Sequence, residues 1–176
     1  MKILTTDIGE IIQNPDEIKM KSRAIITDNE GKILIGNYGG VYLLPGGSID
    51  DGENPNDTII RELREETGLE FQQLEPFTKI RYFQNSYPTR DGKTMDRLLI
   101  TYYYIGRDKD AIKHDIKLTE KEIQDGFELK YYNIDDIERV LEQNQTQNPR
   151  SEYFNKEIRT VIEHYRKEKL LSDVER

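Results

Sequence analysis

Glu62, Glu65 and Glu66 stand at i, i+3 and i+4, so on a helix they share one face. Ile59, Ile60 and Leu63 fall on the other flank. A helix over 57–67 can therefore pack only along that aliphatic stripe, and its acidic face must stay wet or meet cations. Asn56 or Asp57 is the expected N-cap, and Gly68 sits where a C-terminal glycine belongs. Two carboxylates about 4 Å apart repel by about 4 kcal/mol at an effective dielectric of 20. Arg61 can pair with Glu65 and with Glu53 in the preceding loop, but one guanidinium does not neutralise four carboxylates. An oxygen-rich group of this kind suits a hard divalent ion, Mg²⁺ or Mn²⁺.

The segments around this helix read as strands. Residues 22–28 and 32–37 are β-prone runs, joined by the turn chemistry of Asn29–Gly31. Residues 41–44 form a short strand that Pro45-Gly46-Gly47 ends, and 48–56 read as a loop. The chain is extended over 70–84, loops over 85–93, and carries its strongest strand over 94–105. Residues 107–124 are a polar excursion with one helical turn at 119–123, followed by a strand over 127–132 and a short helix over 134–141. Asn148 and Pro149 open a last helix that runs to about 171. Tyr153, Phe154, Ile158, Val161, Ile162 and Tyr165 form its apolar stripe, which must be buried against the domain or against a second subunit, the latter giving a homodimer. The hairpin signals exclude a purely parallel doubly wound sheet. The pattern predicts an α+β fold, a mixed sheet with helices on both faces.

Composition narrows the function. The 176 residues contain no Cys, which excludes a disulfide scaffold, a Cys-ligated zinc site and a Cys nucleophile. The net charge of −8 argues against a duplex nucleic-acid footprint, which needs a basic face. No apolar run approaches the roughly 20 residues that span a bilayer, and residues 1–10 lack a signal-peptide core. A cytoplasmic protein of one domain, 1–176, with a core over 22–141 and the helix over 149–171, is the expectation. The 39–47 segment lacks the Gly-Lys-Ser/Thr ending of a P-loop, and 50–53 lacks the alternating oxygen ligands of an EF-hand.

The spacing Gly47-x5-Glu53-x7-Arg61-Glu62-Leu63-x-Glu65-Glu66-x-Gly68-Leu69 resembles the complete signature of the Nudix hydrolases. The resemblance covers 23 residues directly and extends more loosely over 22–141. It implies an α/β/α sandwich around a mixed sheet and metal-assisted cleavage of a nucleoside diphosphate linked to another moiety. It implies Glu62 and Glu66 as principal metal ligands, with Glu65 as a third carboxylate that binds metal or activates water. The Gly46 carbonyl joins the metal shell by the same resemblance, Arg61 and Glu53 form a structural ion pair, and Gly47 and Gly68 serve backbone geometry. In many members the base lies on a loop outside the signature, and here Glu122, ahead of Glu120, is that candidate. The substrate side is less defined: a dinucleoside polyphosphate, a nucleoside triphosphate or an ADP-ribose type. Tyr87 stands 18 residues after Leu69, a spacing similar to some dinucleoside-polyphosphate members. Pro88 is too far from the signature for the ADP-ribose pattern. Tyr82 can stack on a base and Arg81 can hold an outer phosphate. His114 and His164 have no partner at ligand spacing. A non-catalytic nucleotide sensor on the same fold is the alternative, and an isomerase that needs Cys ranks last.

Overall fold

The computed structural model describes residues 3–143 and 149–174. Its main sheet runs in the order β1 (Leu4–Ile8), β7 (Glu75–Pro88), β8 (Thr94–Arg107), β2 (Glu17–Thr27), β3 (Ile33–Tyr38) and β10 (Glu128–Tyr132). Two short strands join from the side: β4 (Val41–Leu43) pairs with β3, and β5 (Gly46–Ser48) pairs with β2. β1 lies parallel to β7 and β2 parallel to β8, while the other pairings are antiparallel, so the sheet is mixed. A two-stranded piece, β6 (Leu69–Glu70) with β9 (Ile112–Lys113), sits beside it.

One helix, α1 (Pro55–Thr67), covers one face, and α3 (Ile137–Glu142) with α4 (Ser151–Val174) covers the other. Alternation along β2 sets up the two layers. Ala24 and Ile26 point to Ile59 and Leu63 of α1, while Ile25 points to Ile158, Val161 and Ile162 of α4. A strand buried on both faces reads as a continuous apolar run, and residues 24–26 are that run here. Among these, Ile158, Val161 and Ile162 of the α4 stripe are taken up by the chain's own sheet, with Tyr153 and Tyr165 packed at the margins. That burial removes the need for a second subunit to cover the stripe.

Several boundaries differ from the sequence reading. β1 was not expected: it holds one buried residue, Ile8, and is fixed by parallel pairing with β7. β2 starts five residues early, because β8 offers it eleven paired positions irrespective of side-chain polarity. β7 runs on to Pro88 through a bulge at Ser86, so the loop is shorter than 85–93. Residues 46–48 form β5 rather than a turn and loop. The N-cap of α1 is Asn54, which accepts from the Asp57 N–H at 2.8 Å, and Pro55 takes the first turn. Asn148, expected to cap α4, lies outside the described residues.

Candidate active site

α1 is held to the sheet edge by three glycines, each needed for a separate reason. Gly46 has φ 149°, and a Cβ there would lie 2.7 Å from the Arg23 Cα. At Gly47 a Cβ would lie 2.8 Å from Glu62 Oε2. Gly68 ends the helix in the left-handed region at φ 73°, and the His114 carbonyl occupies the space a side chain would need. The Gly68 carbonyl accepts in turn from the His114 N–H at 2.8 Å. The His114 ring, read as isolated, lies 2.6 Å from Glu70.

Arg61 organises the acidic face. Its Nε and Nη2 donate to the two oxygens of Glu53 at 2.7 and 2.9 Å, a bidentate pair. Its Nη1 reaches Glu62 at 3.1 Å and Glu65 at 3.2 Å, and Nη2 also lies 3.3 Å from Asp50. The Arg61 pair, helped by the Asp50 N–H and the Thr58 hydroxyl, pulls the Glu53 carboxyl down to about 2.

Glu66 is different. Its Oε2 accepts from the Tyr38 hydroxyl at 2.9 Å and from the Gly46 N–H at 3.1 Å, and among the described residues it forms no ion pair. Burial pushes its carboxyl up to about 7, against the pull of those two hydrogen bonds and of the Arg23 charge. Burial also raises Glu62, with the Arg61 charge opposing. Two carboxylates that burial holds towards their neutral forms lack sufficient counter-charge.

Asp50, Glu53, Glu62 and Glu65 all share Arg61, and Glu66 is left over. The donor set of Glu62, Glu65, Glu66 and the Gly46 carbonyl is all oxygen and short of positive charge, so it fits Mg²⁺ or Mn²⁺. Among the described residues no three acidic or His side chains already converge as a ready ligand set. Glu62 and Glu65 are turned onto Arg61.

The other candidates are spread out. Glu122 lies in α2 (Glu120–Gln124), where its carboxylate accepts from the Thr119 N–H at 3.0 Å and closes a capping box. That loop leans on Tyr38 through Phe127, ring centroids 5.1 Å apart. Tyr82 and Tyr87 are buried on the α4 face, both against Tyr153, and Arg97 stacks 3.5 Å over the Tyr87 ring. Arg81 points the other way and makes a bidentate pair with Asp7 of β1 at 2.7 Å. The structure does not bring these three to the α1 carboxylates.

Two site residues had no motif to reveal them. Tyr38 holds Glu66 directly. Arg23 donates to the Leu44 carbonyl at 2.7 Å, clamping the segment that carries Gly46. Arg23 also faces Glu157 of α4, a fully buried carboxylate bonded to the Tyr103 hydroxyl at 2.9 Å and Thr101 at 3.2 Å. Periodicity contained this signal: Tyr153, Glu157 and Val161 follow each other at i, i+4 and i+8 on the buried stripe.

A family model described as NUDIX domain matches residues 19–155. The 8-oxo-dGTP diphosphatase of Escherichia coli (strain K12) is 33% identical over 82 residues, 47% of this chain and 57% of that relative's length. A NUDIX hydrolase structure from Nitrosomonas europaea superposes with a TM-score of 0.56 at 19% identity, covering 87% of this chain and 91% of that one. A MutT protein structure from Methanosarcina mazei Go1 gives 0.51 at 18% identity, covering 77% of this chain and all of that one. At these identities the two structures speak for the fold alone, a mixed sheet with helices. Because the family match takes in both the strands and the α1 site, the chain belongs to the NUDIX family.

Proposed function

We propose that this chain is a divalent-metal-dependent pyrophosphohydrolase that cleaves a nucleoside diphosphate linked to another moiety. The observation that carries the reading is Glu66: a carboxylate beside Glu62, hydrogen-bonded by Tyr38 and Gly46 but without an ion pair among the described residues. Glu62, Glu66 and the Gly46 carbonyl would hold the metal. When bound, Mg²⁺ or Mn²⁺ supplies Lewis acidity and charge neutralisation at the diphosphate.

The chain's own residues do the rest. Arg61 keeps Glu62 and Glu65 on one face despite their repulsion, and Glu53 fixes Arg61. Tyr38 and Gly46 hold Glu66 by one oxygen and leave Oε1 for a ligand. Glu65, exposed beside Glu62, takes the proton from the attacking water at a carboxylate oxygen. Glu122 holds one oxygen on its cap, and its loop meets the site through the Phe127–Tyr38 ring contact.

The likeness to an 8-oxo-dGTP diphosphatase makes oxidised nucleoside triphosphates one arm of the test. Nucleoside triphosphates, ADP-ribose, dinucleoside polyphosphates, nucleotide sugars and coenzyme A form the others. Each is incubated with Mg²⁺ or Mn²⁺ and the products are separated by chromatography, with Glu66→Gln as control. Metal-dependent cleavage lost in the control supports the proposal. Tight nucleotide binding with no turnover of any compound overturns it in favour of a sensor.

A further inference from the structure

The α4 face of the sheet carries an excess of positive charge directly beside the catalytic strand. β5 pairs with β2 so that Arg23 lies opposite Gly46 and Lys21 opposite Ser48. Neighbouring strands are about 4.8 Å apart, so the backbone of Arg23 lies one strand from Gly46 and that of Lys21 one strand from Ser48, two residues further on. Further along the same face stands Arg97 of β8, opposite Glu17. Lys21, Arg23 and Arg97 alternate onto this side with Thr101 and Tyr103, and Glu157 comes down from α4.

The cations do not balance. Arg23 and Arg97 are both less than a tenth exposed. Glu157 is a single carboxylate facing all three, and Glu17 is already paired with Lys19 at 3.3 Å. Arg23 has the Leu44 carbonyl, and Arg97 has Gln84 and the Tyr87 ring. Lys21 has neither a hydrogen bond nor an ion pair among the described residues, although it is half-buried. Burial first, and the Arg23 and Arg97 charges second, push its ammonium down to about 8. A half-buried ammonium held near two guanidiniums is costly unless an anion completes the group. Glu157 does act on Lys21, but its single negative charge is shared with Arg23 and Arg97.

We infer that Lys21, with Arg23 and Arg97 behind it, is an anion subsite that receives a further phosphate on the moiety beyond the scissile diphosphate. The inference rests on the pyrophosphohydrolase reading for its placement of the diphosphate at Gly46. It names the substrate class that reading leaves open, one whose second half is itself phosphorylated. That phosphate has two chemical sources, a longer polyphosphate chain or a phosphate on a sugar.

The first experiment needs no catalysis. Inorganic triphosphate is titrated calorimetrically into the metal-free full chain, where the carboxylates of α1 repel it and the subsite does not. Binding to the wild type, weakened at least tenfold by Lys21→Met and restored to within threefold by Lys21→Arg, supports the inference. No binding, or equal binding by wild type and Lys21→Met, overturns it. Thermal melting checks that Lys21→Met is folded, and Lys21→Gln replaces it if it is not. The second experiment compares kcat/KM within two matched pairs under Mg²⁺. NADPH against NADH varies a sugar phosphate, and diadenosine tetraphosphate against diadenosine diphosphate varies the chain. A preference of tenfold or more for the richer member of one pair, collapsed by Lys21→Met, supports the subsite and identifies the source. Turnover with no preference in either pair overturns the subsite and leaves the pyrophosphohydrolase reading standing. No turnover of any compound overturns that reading instead, and the triphosphate titration still decides the subsite.

Discussion

Adding one methyl group at Gly47 separates catalysis from folding. Gly47 has an ordinary backbone conformation, so alanine imposes no backbone strain there. Its Cβ would lie 2.8 Å from Glu62 Oε2, where ordinary van der Waals contact begins at 3.4 Å. The Glu62 carboxylate must therefore retreat by more than half an ångström, and about 1 Å is a fair figure once its other atoms are cleared. The obstacle is the far end of a side chain, so stability falls by only about 1 kcal/mol, the usual cost of an off-rotamer side chain. Catalysis is less forgiving, because about 1 Å of misplacement lowers a rate about 100-fold, or about 2.7 kcal/mol in barrier. Gly46→Ala is the contrast. There the methyl meets backbone, including the Arg23 Cα at 2.7 Å, and φ is 149°, so the β2–β5 pairing breaks and the protein loses its fold. The assay is kcat on the best substrate of the panel, with melting temperatures of both variants. Wild-type kcat in Gly47→Ala would refute the placement of Glu62, and a stable Gly46→Ala would refute the packing of the glycine turn.

Other consequences can be measured on the same protein. The raised Glu66 carboxyl favours folding below its ordinary value of 4.5, and that contribution is lost as pH rises through about 7. The metal-free protein should lose on the order of 3 kcal/mol between pH 4.5 and 8 from this group, and Glu66→Gln should abolish that fall in thermal melts. Glu53 works in the opposite sense: its contribution is present above 4.5 and lost as pH falls through about 2, so Glu53→Gln flattens the acid limb of the unfolding curve. Arg61→Ala unties Glu53, Glu62 and Glu65 at once, and should cut kcat more than 100-fold while costing about 1 kcal/mol in urea denaturation. Asn54→Ala removes the α1 cap and costs about 1 kcal/mol in the same experiment, with KM unchanged.

The site was more legible than the sheet that carries it, and the reason is physical. The α1 chemistry is local: ligands at i, i+3 and i+4, a pair across one loop and a glycine stop all lie within 23 residues. The spacing of a helix fixes them without knowledge of the rest. Strands depend on partners that sequence does not display. β1 has one buried residue and exists because β7 pairs with it, and the first five residues of β2 are polar or exposed and exist because β8 does. β5 is glycine-rich and reads as a turn, yet its backbone is what brings Gly46 beside Arg23. The cap of α1 is legible in the sequence. Asn54-Pro55 has the same form as Asn148-Pro149, and proline belongs in the first turn, a stronger signal than the capping side chains of Asn56 and Asp57 that follow.

The residues that sequence did not single out, Arg23, Tyr38 and Glu157, share one property: each acts on the site through the sheet rather than along the chain. Tyr38 reaches Glu66 across 28 positions, and Glu157 reaches Tyr103 across 54. Glu157 therefore joins the last helix to the strand pair that supports Gly46, by way of Arg23 and the Leu44 carbonyl. Truncating the chain before α4 would leave Arg23 without its buried counter-charge and the Ile25 face of the sheet uncovered. Such a truncation removes the acidic partner of the basic face as well as its apolar cover, so it should abolish folding rather than merely loosen the end of the chain.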